Sequence, residues 1–154
     1  MIDSSKMLPP EKTVSRYIRD VYYYETDRMG IVHHSNYIRW LEEARNHFYE
    51  EAGFSYASIE QAGIMIPVVS AGCRYKTPFR YGEHYEIEVL PSFFNGVKFS
   101  FEYRIYDAQT KELRAEGSSE HCFSDYDLKP IRLNRQNPEI FSAFQPYFPT
   151  KAKQ

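Results

Sequence analysis

One amphipathic helix has to organise this chain. Between Asn36 and Ala52 the apolar residues Tyr37, Leu41, Ala44, Phe48 and Ala52 recur at three- and four-residue steps, and Ile38 and Trp40 widen the stripe. Ser35 or Asn36 is placed to cap its start and Gly53 to end it. Arg39, Asn46 and Glu50 occupy the opposite face. No other segment carries the helical period over a comparable length. A lone long helix must bury its stripe against something other than helices, which leaves a sheet.

The rest of the chain supplies strands for that sheet. Thr13–Tyr24 is rich in β-branched residues and tyrosine. Met65–Lys76 and His84–Phe93 are further strand segments, and Asn95-Gly96 predicts a two-residue hairpin. Beyond it Val97, Phe99, Phe101, Tyr103 and Ile105 alternate with Lys98, Ser100, Glu102 and Arg104, so one face is buried. Leu113, Ala115, Gly117, Ser119, His121 and Phe123 repeat the pattern with smaller side chains. A short helix fits Ser55–Gln61, and Asn137-Pro138 opens another that carries Phe141 and Phe144. The fold class is therefore α+β: one long helix wrapped by a curved antiparallel sheet of about five or six strands. The other sheet face also reads as bearing aromatic side chains, which a homo-oligomer would cover. Residues 1–12 read as a flexible tail, 13–134 as one domain, and 135–154 as a C-terminal extension.

Charge and cysteine content exclude several classes. With 19 basic and 21 acidic residues there is no electrostatic case for nucleic acid. No stretch nears ~20 apolar residues, so no membrane helix is expected. Cys73 and Cys122 are too few for a disulfide framework and lack metal-site spacing. The expected setting is a reducing cytoplasm.

The chemistry concentrates in VYYYETDRMGIVHHSNYIRWLEEAR, residues 21–45. Asp27 precedes Gly30, two histidines and a helix start. A helix N-terminus offers unpaired N–H groups and a positive dipole end, which can hold an oxyanion. A carboxylate beside it can act as general base or nucleophile. An Asp at such a place is also a common turn former, and spacing alone favours that role.

The segment resembles the signature of the 4-hydroxybenzoyl-CoA thioesterase-like family, the hotdog-fold acyl-CoA thioesterases. That signature runs aromatic-x-x-T-D-x-x-G-V-V-x-H-x-N-Y, then an acidic residue and A-R. Here Y-Y-E-T-D-R-M-G-I-V-H-H-S-N-Y is followed by E-E-A-R, with Asp27, Gly30, His34, Asn36, Tyr37, Glu42, Ala44 and Arg45 in step. The likeness runs from about residue 14 to about residue 134. It takes in IPVVSAGCRYKTPFRYGE at 66–83 and AEGSSEHCFSDYDLKPIRL at 115–133.

The resemblance implies a hotdog fold in homodimers or homotetramers, with active sites at the dimer interface. It implies hydrolysis of an acyl-CoA to a free acid and CoA, without metal or cofactor beyond the CoA of the substrate. Asp27 takes the place of the family's catalytic aspartate and His34 that of its active-site histidine, whose backbone N–H is the expected oxyanion donor. Gly30, Asn36, Tyr37 and Glu42 fall on substrate-side positions; for Glu42 a salt bridge to Arg45 or Arg39 is the alternative. Lys129 and Arg132 are expected to meet the CoA phosphates, with Arg74, Lys76 and Arg80 as alternatives. Ser119 stands where the family carries Thr, and His33 where it carries an aromatic residue. Ser119 and His121, two apart on one strand face, also allow a nucleophile pair, though no orienting acid or elbow motif accompanies them. An acyl-carrier protein as carrier, or a binding module without turnover, are the competing readings. A hotdog dehydratase is disfavoured because its H-F-P-type motif is missing.

Overall fold

A computed structural model describes residues 15–149. The expected tail at 1–12 and the first residues of the expected first strand lie outside them.

The chain runs β1 (Ser15–Asp20), a 3₁₀ turn (Tyr23–Glu25), α1 (Ser35–Glu51), α2 (Tyr56–Gln61), β2 (Val68–Tyr75), β3 (His84–Phe94), β4 (Lys98–Asp107) and β5 (Leu113–Cys122). It ends in α3 (Leu133–Gln136), α4 (Pro138–Phe144) and a 3₁₀ turn (Gln145–Tyr147). The five strands form one sheet in the order β1-β3-β4-β5-β2, every pair antiparallel. Among the described residues no helix is long and apolar enough to cross a membrane.

The helix stripe and the strand alternation meet in a single core. Trp40, Leu41, Ala44 and Phe48 of α1 and Ala52 just after it are fully buried, as are Phe99, Phe101, Tyr103 and Ile105 of β4. Burying each such large side chain is worth ~1.5–3 kcal/mol. Phe48 packs edge-on against Phe101 at 5.4 Å, and Trp40 stacks on Tyr85 at 3.9 Å. Gly117 lets α1 lie close: a Cβ there would meet Leu41 Cδ1 at 3.0 Å and the Gly72 carbonyl at 3.1 Å. The C-terminal extension joins this core, with Leu133, Phe144 and Tyr147 buried and Phe144 packed on Phe94, Phe99 and Phe123.

Four local expectations change. The helix begins at Ser35 and is preceded by His34, with no side-chain cap: Asn36 lies inside the first turn, and Ser35 Oγ lies against His33 Nδ1. Ile38, placed in the stripe, is 38% exposed. The Asn95-Gly96 connection is wider than two residues: Asn95 Oδ1 accepts from the N–H groups of Val97 and Lys98, an Asx turn that delays β4 to Lys98.

The fourth change concerns the outer sheet face. It carries charge where aromatic side chains were expected. Arg16 bridges Glu86 and Glu88, each at 2.8 Å, and Lys111 reaches Glu86 at 2.9 Å. Among the strands, exposed apolar side chains lie at Ile18 of β1 and on edge strand β2, where Val68 and Val69 are about half exposed.

Candidate active site

The loop from Val21 to His34 is built around a buried carboxylate, Glu25. Its Oε2 accepts from Trp40 Nε1 at 2.9 Å and from Arg19 Nη2 at 2.8 Å, and its Oε1 accepts from the Tyr22 N–H at 2.8 Å. Its carbonyl accepts from the His33 N–H at 2.9 Å and from Asn36 Nδ2 at 3.0 Å. A buried carboxylate is tolerated only when so surrounded. Glu25 thereby ties the loop to β1 and to α1. Sequence reasoning missed it, because a Glu in a tyrosine-rich stretch signals nothing until Arg19 and Trp40 converge on it.

From this anchor the chain projects Asp27. The backbone closes around it: the Asp27 N–H donates to Ile31, the Gly30 N–H donates back to the Asp27 carbonyl at 3.0 Å, and Val32 donates to Phe79 at 2.9 Å. Gly30 has φ +79°, the left-handed region that disfavours a Cβ. Asp27 Oδ1 accepts from the Met29 N–H at 2.8 Å. One carboxylate oxygen thus forms an Asx turn. No hydrogen bond within the described residues engages the other.

Asp27 lines a cleft of about 270 Å³ together with His34, Tyr37, Tyr75, Lys76, Thr77, Pro78, Met29, Ile31 and Val32. The loop, the first turn of α1 and the end of β2 meet there. The His34 carbonyl accepts from the Tyr37 N–H at 3.2 Å and from the Tyr75 hydroxyl at 3.3 Å. The His34 ring stacks on His33 at 4.3 Å, and His33 Nδ1 lies 2.8 Å from Ser35 Oγ. No acceptor within the described residues takes the His34 N–H. Burial pushes the Tyr37 hydroxyl up to about 12, so it stays protonated near neutral pH.

The other expected site residues lie outside this cleft. Gly30 turns the loop at its rim, where a Cβ would sit 3.9 Å from Arg80 Nη1. Asn36 is buried, and its amide serves the carbonyls of Glu25 and His33. Lys129 is exposed on the turn where its N–H donates to Asp125. Arg132 lines a concavity of about 640 Å³, near Asn95 and Phe148. That concavity has no carboxylate or imidazole in its lining, so its size alone gives it no chemistry. Lys76, one of the alternative cations, does line the Asp27 cleft, 3.2 Å from Glu116.

Glu42 lines a second cavity of about 350 Å³, with Arg45, Asn46, Tyr49, Tyr56, Ile66, Val68 and His121. No ion pair joins Glu42 to Arg45 or Arg39 among the described residues. The Ser119–His121 pair exists: Oγ and Nε2 are 2.7 Å apart. Ser119 Oγ is also held 2.6 Å from the Tyr103 hydroxyl, which accepts from Arg45 Nη1 at 3.2 Å. Burial, aided by the Arg45 charge, pushes His121 down to about 3, so its ring is neutral. Burial also raises the Cys73 thiol to about 11, which makes it a poor nucleophile. Among the described residues no three His, Cys, Asp or Glu side chains converge as a metal ion requires.

Comparison with known proteins agrees with this architecture. The description of the thioesterase-like superfamily matches residues 21–145. YneP of Bacillus subtilis, named as a candidate acyl-CoA thioesterase, is 35% identical over 133 residues, 86% of this chain and 96% of that protein. YbgC of Escherichia coli, an acyl-CoA thioester hydrolase, is 26% identical over 121 residues, 79% of this chain and 90% of its own. The solved DHNA-CoA thioesterase of Staphylococcus aureus superposes with a TM-score of 0.81 at 33% identity, covering 86% of this chain and 89% of that one. The one-helix, five-strand sheet is the hotdog architecture of these neighbours, and the chain belongs to the thioesterase-like superfamily.

Proposed function

We propose that this protein hydrolyses an acyl-CoA thioester to a free carboxylic acid and CoA in the cleft headed by Asp27. One observation carries the reading: the cleft is lined both by a carboxylate and by a helix start, and among the described residues one Asp27 oxygen and the His34 N–H have no hydrogen-bond partner.

The chemistry follows from those two groups. The thioester carbonyl oxygen takes the His34 N–H and the positive end of α1, which favours negative charge as the tetrahedral intermediate forms. The free oxygen of Asp27 takes a proton from water as the water oxygen bonds to the acyl carbon. Collapse then breaks the C–S bond, and the departing thiolate of CoA recovers a proton. Direct attack by Asp27, giving an anhydride that water opens, balances equally well. His34 and Tyr37 bound the acyl end of the cleft, and Lys76 and Arg80 are better placed than Lys129 or Arg132 to meet CoA phosphates in a single protomer.

The same reading includes a homodimer, able to pair further into a tetramer, formed at β2. That strand is an unpaired edge with both faces largely exposed, and its last residue, Tyr75, is a wall of the cleft. Light scattering that returned a monomer at micromolar concentration would count against this part. The cytoplasm, where Cys73 and Cys122 stay reduced, is the matching compartment.

Free-thiol release from a panel of acyl-CoAs, run beside acyl-carrier-protein thioesters, tests the activity. Turnover of the CoA series supports the proposal. Binding of acyl-CoA without thiol release would make the protein a carrier, and turnover only of carrier-protein thioesters would change the substrate.

A further inference from the structure

The peptide that joins His33 to His34 carries the helix-start N–H that has no acceptor among the described residues, and its other end is held from inside the protein. The His33 carbonyl accepts from the Asn36 N–H at 3.0 Å and from Asn36 Nδ2 at 3.3 Å. Asn36 Nδ2 also donates to the Glu25 carbonyl at 3.0 Å. Between two carbonyl oxygens only the nitrogen of that amide can face them, which fixes its orientation. Asn36 is buried and is not among the residues that line the Asp27 cleft. The neighbouring N–H groups are spent: Ser35 donates to His33 Nδ1 at 3.3 Å, and Tyr37 to the His34 carbonyl at 3.2 Å.

A trans peptide is a rigid plane, so a grip on its carbonyl also sets the direction of its N–H. We infer that Asn36 is the positioning residue of the oxyanion donor: its side-chain amide clamps the back of the His33–His34 peptide and aims the His34 N–H at the thioester oxygen. Two donors on one carbonyl also polarise the peptide, which strengthens its N–H as a donor. A donor fixed before the substrate arrives costs no reorganisation when negative charge develops on that oxygen. The same amide ties this peptide to the carbonyl of Glu25, two residues before Asp27, so one buried side chain holds both halves of the site in register. Asn36 thereby acts through the backbone rather than on the substrate itself. The inference rests on the hydrolysis proposed above.

Asn36→Ala and Asn36→Ser test it as a pair. Both lose the bond to Glu25, but a serine hydroxyl inside a helix can still donate to the carbonyl three residues back, here that of His33. Removing an oxyanion donor outright costs ~10²–10³ in rate, and misaiming one forfeits part of that. In acyl-CoA hydrolysis kcat should therefore fall at least ~10-fold in Asn36→Ala and stay within ~3-fold of wild type in Asn36→Ser, with KM little changed in both. Equal kcat in the two variants, or losses that follow their melting temperatures, would make Asn36 a structural residue and overturn the inference. If either variant fails to fold, the wild type decides. The nitrogen resonance of the Asn36 side-chain amide should shift when S-trifluoroacetonyl-CoA binds, a ketone that takes up the tetrahedral form. It should hold still when S-propyl-CoA binds, which has no carbonyl to place on the His34 N–H. The same response to both ligands overturns the inference. Failure of the underlying reading looks different. No thiol release by the wild type sinks both, whereas full activity of Asp27→Asn beside the difference between Asn36→Ala and Asn36→Ser would displace the base and leave Asn36 in its role.

Discussion

The start of α1 and its middle handle polar groups in opposite ways. At the start, a carboxylate with a free oxygen and an imidazole face an open cleft, and the buried group behind them, Glu25, is fully satisfied. In the middle, the polar side chains Arg45, Tyr103, Ser119 and His121 are themselves buried in a chain of hydrogen bonds, with Tyr49 left out of it. The first arrangement suits chemistry on a substrate that must enter and leave. The second suits binding or packing, because a serine held between a tyrosine hydroxyl and a neutral imidazole has no free line of attack. The Ser119–His121 pair therefore meets the distance requirement of a nucleophile and base, and lacks the exposure and the orienting acid.

This contrast can be broken or sharpened by substitution. The largest expected effect is at Glu25. Glu25→Ala removes the acceptor of Arg19 and Trp40 and should cost ~3–5 kcal/mol, read from the denaturant midpoint. Loss of little stability would mean that the loop is not hung on this residue. Ser119→Ala leaves Tyr103 and His121 each short of a partner and should cost ~1–3 kcal/mol, while kcat/KM stays within a few-fold of wild type. A collapse of kcat with the fold intact would move the catalytic centre to the middle of the helix. Gly30→Ala forces a side chain into the left-handed region, with only an ordinary contact to Arg80 Nη1 at 3.9 Å around it. It should cost ~1–2 kcal/mol by thermal unfolding.

The pH dependence of stability, read over a pH unit or so, is an effect of the same size as that at Gly30. His121 is held down to about 3 in the folded chain, against 6.5 for a free imidazole, so the unfolded chain binds one more proton between those values. Its contribution to stability is full above pH 6.5 and is lost as pH falls toward 3, with a slope of at most ~1.4 kcal/mol per pH unit. The charged group that faces the ring is Arg45, which opposes protonation further. Denaturation midpoints between pH 6.5 and 5, before most carboxylates titrate, should fall in the wild type and stay flatter in His121→Gln.

The sequence made the architecture readable because it rests on local periodicity. The helical stripe, the alternation in β4 and β5, Gly53 after α1 and Asn137 before α4 are all short-range signals, and the structure follows them. That Asp27 lies in a loop just before a helix start was readable too, although spacing alone favours a turn former there. What was not readable depends on partners far apart in the chain. Glu25 matters only because Arg19 and Trp40 reach it. Asn36 looks like a site residue or a cap until the loop's carbonyls claim its amide. The cations could not be chosen from composition: Lys76 reaches the cleft wall, whereas Lys129 and Arg132 lie on other surfaces. The charged outer face was missed for the same reason, because Glu86 and Glu88 sit in a buried run whose neutralising partners come from β1, β4 and the turn at Lys111.

The central claim is that Asp27 activates the attacking oxygen, and steady-state hydrolysis of a good acyl-CoA by Asp27→Asn tests it most directly. Asparagine keeps the side-chain oxygen that accepts from the Met29 N–H, so the turn and the fold should hold. It removes the basic oxygen, so kcat should fall by at least ~10² with little change in KM, the mark of an interaction used in the transition state. Turnover within a few-fold of wild type would contradict the account and leave Asp27 as a turn former alone.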